Sequence, residues 1–148
     1  MKRLFITVTI ALSFISFSSF ANDDENIAPA ALESFKTSFK SATEVNWSIS
    51  ENYFQADFAL NGQYVSAFYD AEGKMIAMSR NISSLQLPLT LQASLKNKYE
   101  GYWISGLMEM STDDGTSYYI TLENADSRVI LKSVSNTDWS HFKKLRKS

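Results

Sequence analysis

The sequence predicts an α+β fold: tandem helix-plus-antiparallel-meander repeats forming one twisted antiparallel sheet, with two main helices on one face and a short C-terminal helix. Three observations carry this expectation. Between Val45 and Arg80, short polar loops separate four runs that alternate apolar and polar residues, the period of half-buried strands. Two stretches, each opened by a proline, carry apolar residues at three- and four-residue spacing. The order helix then meander occurs twice, which suggests a duplication in which neither half covers its own sheet comfortably.

The meander can be registered residue by residue. Asn61-Gly62 between β-rich runs is the strongest short-range signal for a two-residue type I′ hairpin. It sets Leu60 opposite Gln63, Phe58 opposite Val65, Ala56 opposite Ala67 and Phe54 opposite Tyr69. Asp70-Ala71-Glu72-Gly73 reads as a type I turn closed by a left-handed glycine, pairing Tyr69 with Met75 and Phe68 with Ile76. Upstream, a turn at Glu51-Asn52 sets Trp47 beside Ala56 and Val45 beside Phe58. Val45, Trp47, Ile49, Phe54, Phe58, Val65 and Tyr69 then share one face, and Tyr53, Asp57, Tyr64, Ser66, Phe68, Ile76, Met78 and Arg80 the other.

The remaining elements follow from the same rules. Pro29 opens a helix whose stripe is Ala28, Ala31, Leu32, Phe35, Phe39 and Ala42. Leu87-Pro88 opens another, with Leu91, Leu95 and Tyr99 four apart and Gly101 placed for a left-handed cap. Strands are expected over 102–110, 116–123 and 128–134, separated by Asp113-Asp114-Gly115 and Asn124-Ala125-Asp126. Thr137 or Asn136 can cap a final helix over about 137–146, with Trp139, Phe142 and Leu145 three apart. The repeats run over about 27–82 and 84–134.

Residues 1–21 are read as a cleaved signal peptide: Lys2-Arg3, an apolar run from Leu4 to Phe17, and a Ser19-Phe20-Ala21 cleavage site. The run is shorter than a membrane span usually needs and acidic residues follow it. The chain has no cysteine, so neither a lipid-attachment residue nor a disulfide is available. The expectation is a periplasmic or secreted protein without a stable membrane anchor, its mature part, 22–148, forming one domain. The chain of 148 residues has a net charge of −2 and provides no field for nucleic acid. Four cations nevertheless crowd its end: Lys143, Lys144, Arg146 and Lys147 suit a helix terminus or, less often, an anionic lipid or partner.

Catalysis finds little support in the sequence. A nucleophile needs an adjacent base, and the chain offers one histidine, His141, and no cysteine. Neither metal-ligand spacing nor a glycine-rich phosphate loop is present, so no cofactor and no metal are expected. Asp57 and Glu109, both at mid-strand positions, are the one acidic pair worth following. What rises above background is a face of aromatic and methionine side chains among polar ones, the mixture that binding surfaces favour. It comprises Tyr53, Tyr64, Phe68, Ile76 and Met78 on the first meander. On the second it has Trp103, Leu107, Tyr119 and Ile130 beside Glu109, Thr121 and Lys132. The competing expectation is that the sheet curls, or the terminal helix crosses it, and these residues make a second small core.

The helix opened by Leu87-Pro88, its Tyr99-Glu100-Gly101-Tyr102-Trp103-Ile104 exit, the Tyr118-Tyr119-Ile120 strand and the hairpin from Phe68 to Ile76 together resemble the PepSY-like family. Its members are secreted bacterial proteins also described as β-lactamase-inhibitor-like. The likeness spans nearly all of the mature chain in two copies; the second departs from it at Glu123 to Arg128, where a clean Asp-x-x-Gly turn is missing. The resemblance implies a non-catalytic α+β domain that engages a protein or peptide of the cell envelope through its sheet, in an inhibitor-like manner. The alternative from the residues is a carrier enclosing a small apolar ligand between sheet and helices, and a weaker one is a hydrolase using the acidic pair.

Overall fold

The structure, a computed structural model, describes residues 24–147. Helix α1 (Pro29–Ser38) leads into β1 (Thr43–Ile49), β2 (Phe54–Leu60), β3 (Gln63–Tyr69) and β4 (Met75–Asn81). Helix α2 (Leu89–Lys98) then leads into β5 (Trp103–Thr112), β6 (Gly115–Glu123), β7 (Ser127–Ser133) and β8 (Ser140–Arg146). All eight strands form one antiparallel sheet in sequence order, an open meander with β1 and β8 at its edges. The expected signal peptide lies outside the described residues.

The β2–β3 hairpin has the expected register throughout, from Leu60 opposite Gln63 to Phe54 opposite Tyr69. Its turn needs two consecutive residues at positive φ, and Asn61 (51°) and Gly62 (79°) supply them. The β3–β4 loop closes with Gly73 at φ 85°, where a Cβ would also sit 2.6 Å from the Ala30 carbonyl oxygen. This glycine therefore lets the loop dock on the start of α1.

Each helix covers its own half of one sheet face. Ile27, Ala31 and Phe35 pack on Ala56, Phe58, Val65, Ala67 and Tyr69, with Phe35 in edge contact with Phe58 at 4.9 Å between ring centroids. Leu87 and Leu91 pack on Leu107, Tyr118, Ile120, Leu122, Val129 and Leu131. Between the two cores, across the β4–β5 seam, Arg80 Nε donates to Glu109 Oε1 at 2.8 Å.

Four expectations are corrected. A bulge between Phe68 and Tyr69 pairs Phe68 with Ala77 rather than Ile76, and a one-residue slip moves every later side chain to the opposite face. Met78 and Arg80 therefore lie on the helix-covered side, Met78 opposite Ala67 and packed against the first core. A bulge between Ile104 and Gly106 does the same in β5, turning Leu107 and Glu109 toward the helices and Met108 and Met110 to the other face. In β1 the ladder is interrupted between Thr43 and Asn46, where Glu44 has φ 54°, so Trp47 pairs with Ala56 as expected while Val45 falls in the irregular segment.

The fourth correction concerns the chain's end: the expected helix over 137–146 is instead strand β8. A three-residue apolar spacing cannot distinguish a short helix from a strand with a bulge, and β7's free edge decides the matter by offering a ladder. The Ser133 hydroxyl lies within hydrogen-bond reach of both the Ser135 and Asp138 carbonyls and shares its one proton between them, folding the intervening residues into a turn. Buried Trp139 then anchors the strand, its indole N–H donating to the Leu91 carbonyl of α2 at 3.1 Å.

This division of faces predicts unequal costs. Phe58→Ala, at a fully buried site under α1, is expected to destabilise by about 3–5 kcal/mol. Tyr64→Ala, at a side chain 64% exposed, is expected to cost well under half of that. Denaturant titration of the two variants checks this, and equal losses would contradict the assignment of faces.

Candidate functional site

The site is built on the sheet face that neither helix covers. One row runs across it from Tyr119 on β6 to Met108 on β5 and Lys132 on β7, and a neighbouring row joins Asp57, Ser66, Ser79, Met110 and Ser117. Near the β3–β4 loop, Phe68 lies opposite Gln55 and Ala77. No helix residue belongs to this cluster, yet Phe68 (5%), Ala77 (3%), Met110 (3%) and Tyr119 (8%) are nearly inaccessible. Their cover comes from neighbours on the same face: Tyr53 meets Phe68 edge-on at 5.4 Å, Phe142 meets Tyr119 edge-on at 5.6 Å, and Lys132 Nζ lies 5.2 Å from the Tyr119 ring centroid.

The residues singled out from the sequence thus fall into three groups. Phe68 and Tyr119, with half-buried Tyr53 and Ile76, form a shielded floor. Tyr64 and Trp103 stand exposed at its margins, Trp103 52% accessible beneath Lys147 Nζ at 4.7 Å. Met78 belongs to the helix side and leaves the site. Sequence reasoning missed Met108 and Met110, because the β5 bulge reverses parity, and Phe142 and Leu145, because they were given to a helix. A glycine beside Ser105 is the one trace of the β5 bulge in the sequence.

Each acid on this face already has donors. Asp57 accepts from Gln55 Nε2 at 2.8 Å and from the Ser66 hydroxyl, and Glu44 accepts from the Tyr64 hydroxyl at 2.7 Å. Glu109 lies on the opposite face against Arg80, so Asp57 and Glu109 cannot act as a dyad. Among the described residues no group of three His, Cys, Asp or Glu side chains could hold a metal ion. Among them too, no helix is long and apolar enough to cross a membrane.

A single eight-stranded antiparallel sheet, with two helices on one side and an uncovered aromatic face on the other, is an open-faced α+β fold found in solved bacterial proteins. A BLIP-like protein from Bacteroides fragilis NCTC 9343 superposes with a TM-score of 0.67 at 18% identity, covering 80% of this chain and 86% of its own. A DUF2874 family protein from Bacteroides uniformis ATCC 8492 gives 0.70 at 14% identity, covering 80% and 88%. A proposed periplasmic protein from Bacteroides eggerthii DSM 20697 gives 0.71 at 10% identity, covering 86% and 90%. At these identities the likeness establishes the fold alone, and it is to BLIP-like proteins rather than to PepSY-like ones in particular. No family model and no curated protein matches the chain.

One ionic knot closes the C-terminal side of the face. Glu123, 7% exposed, accepts from Lys147 Nζ at 2.7 Å, from the Ser105 side chain and from Arg128 Nε at 2.8 Å. These donors, Lys147 foremost, hold its carboxyl at about 2, against an ordinary 4.5. A carboxylate whose pKa is depressed by folding contributes stability that is full above its unfolded pKa and lost as pH falls toward the folded value. The protein is therefore expected to lose stability between about pH 5 and pH 2, and Glu123→Gln is expected to flatten that part of the profile. Thermal melts of both forms across this range provide the check, and parallel profiles would contradict it.

Proposed function

We propose that the mature chain is an exported, non-catalytic binding module that engages a protein or peptide of the cell envelope through the uncovered face of its sheet. The observation that carries this reading is the arrangement of that face. A floor of shielded aromatic and methionine side chains bears exposed aromatics at its margins, Tyr64, Trp103 and Phe142. Aromatic anchors standing beside a packed floor are where interface energy concentrates. The BLIP-like fold of the Bacteroides fragilis protein supports an inhibitor-like mode, and the Bacteroides eggerthii neighbour supports a periplasmic location. The signal-peptide reading of residues 1–21 agrees with that compartment. The element order, helix and four strands given twice, supports a tandem duplication. Within the proposed site Tyr53, Phe68, Ile76 and Tyr119 form the floor, and Tyr64 and Trp103 act as anchors.

The carrier alternative has one feature in its favour, a groove of about 320 Å³ between α1 and β1 lined by Leu32, Phe35, Phe39, Val45 and Trp47. It lies between the helix and the edge strand of the sheet, as the carrier reading requires, but it is an open groove rather than an enclosed cavity, and Lys36 and Lys40 stand among its walls. Ligand sites of that size class are concave and bury most of their ligand, so the sheet face is the stronger candidate.

Because Phe68 is buried, the discriminating substitutions are at the exposed anchors. Tyr64→Ala with Trp103→Ala is expected to abolish partner capture from envelope extract while keeping the melting temperature within about 4–8 °C, the shift that 1 kcal/mol produces in a small domain. Capture that survives in the folded double variant would place the binding surface elsewhere.

A further inference from the structure

The uncovered face is electrically divided. Its acids, Glu44, Asp57 and Glu123, are each engaged by donors of this chain. The cations of its other side are not: Lys143, opposite Ile130, enters no ion pair among the described residues, and Lys132 has only the Tyr119 ring. Lys144 and Arg146 alternate to the helix-covered side, opposite Val129 and Ser127, so Lys132 and Lys143 are the cations of this face without an acidic partner among the described residues. Charged residues commonly guard a sheet edge against pairing. That role does not account for Phe142 (44% exposed) and Leu145 (37%), apolar side chains set among these cations, Phe142 against Tyr119 and Leu145 opposite Arg128.

Resting on the reading of this face as a binding surface, we infer that its β7–β8 side docks an acidic polypeptide segment with interspersed apolar side chains. Carboxylates of the segment face Lys132 and Lys143, and its apolar groups cover Phe142 and Leu145. Charge complementarity of this kind raises the encounter rate and fixes orientation. An anionic bilayer fits less well. Laid across the sheet it would also meet Glu44 and Asp57, about 30 Å away at roughly 4.8 Å per strand, whereas a segment aligned with β8 never reaches them.

The test is an NMR titration of the mature protein with the blocked dodecapeptide (Glu-Glu-Phe-Gly)3, beside the same peptide with lysine for glutamate. The expected result is amide shifts confined to β6–β8, affinity that falls as salt is raised, and no binding of the lysine peptide. Lys132→Glu with Lys143→Glu is expected to weaken binding about tenfold, equivalent to about 1.4 kcal/mol. The Lys132→Gln, Lys143→Gln pair, a milder change to the fold, should weaken it less. Equal affinity for both peptides, shifts on the helix side, or unchanged affinity in the folded variants would overturn the inference. So would stronger binding to phosphatidylglycerol vesicles than to the peptide. If the peptide fails while envelope capture still depends on Tyr64 and Trp103, the charge assignment falls and the sheet-face reading stands.

Discussion

An eight-stranded antiparallel sheet has two faces, and the described residues supply helices for only one of them. Every other feature follows from how the second face is kept out of water. Burial of apolar area is the main favourable term in folding, and a flat sheet would leave Phe68, Met110 and Tyr119 exposed for want of a covering layer. Here they are shielded by Tyr53, Phe142, Lys132 and one another. The resulting surface is stable without being closed, the condition a binding sheet must meet.

Interruptions of the ladder assign side chains to faces more decisively than the strands do. The slip at Phe68 and Tyr69 sends Met78 and Arg80 beneath the helices, and the one at Ile104 to Gly106 sends Met108 and Met110 outward. A third, between Ile130 and Leu131, leaves Phe142 free to reach Tyr119. Glu123 then ties β5, β6, β7 and the end of the chain through Ser105, Arg128 and Lys147.

What the sequence made legible was local. The Asn61-Gly62 turn determines its hairpin through positive φ at two positions, and no distant contact was needed to register seven residue pairs. Proline-opened helices with four-residue stripes were equally plain. Bulges were not legible, because one extra residue leaves almost no compositional mark while reversing the facing of everything after it. The final strand was misread for a related reason. Its apolar spacing suits a helix, and only the free edge of β7 and the Trp139 bond to Leu91 make it a strand. Of the candidate site, the aromatic floor could be anticipated from the first meander, whereas its second half depended on contacts between distant segments.

The central claim is that the uncovered face is open in the free protein and closed by its partner. Hydroxyl-radical footprinting of the free and partner-bound protein tests it most directly. The account predicts that Tyr64, Trp103 and Phe142 are oxidised in the free protein while Phe68 and Tyr119 are protected. In the complex the first three become protected as well, while exposed Leu85 and Leu89, beside and on α2, remain unchanged. Protection falling on Leu85 and Leu89 instead, with Tyr64 and Trp103 still oxidised in the complex, would contradict it.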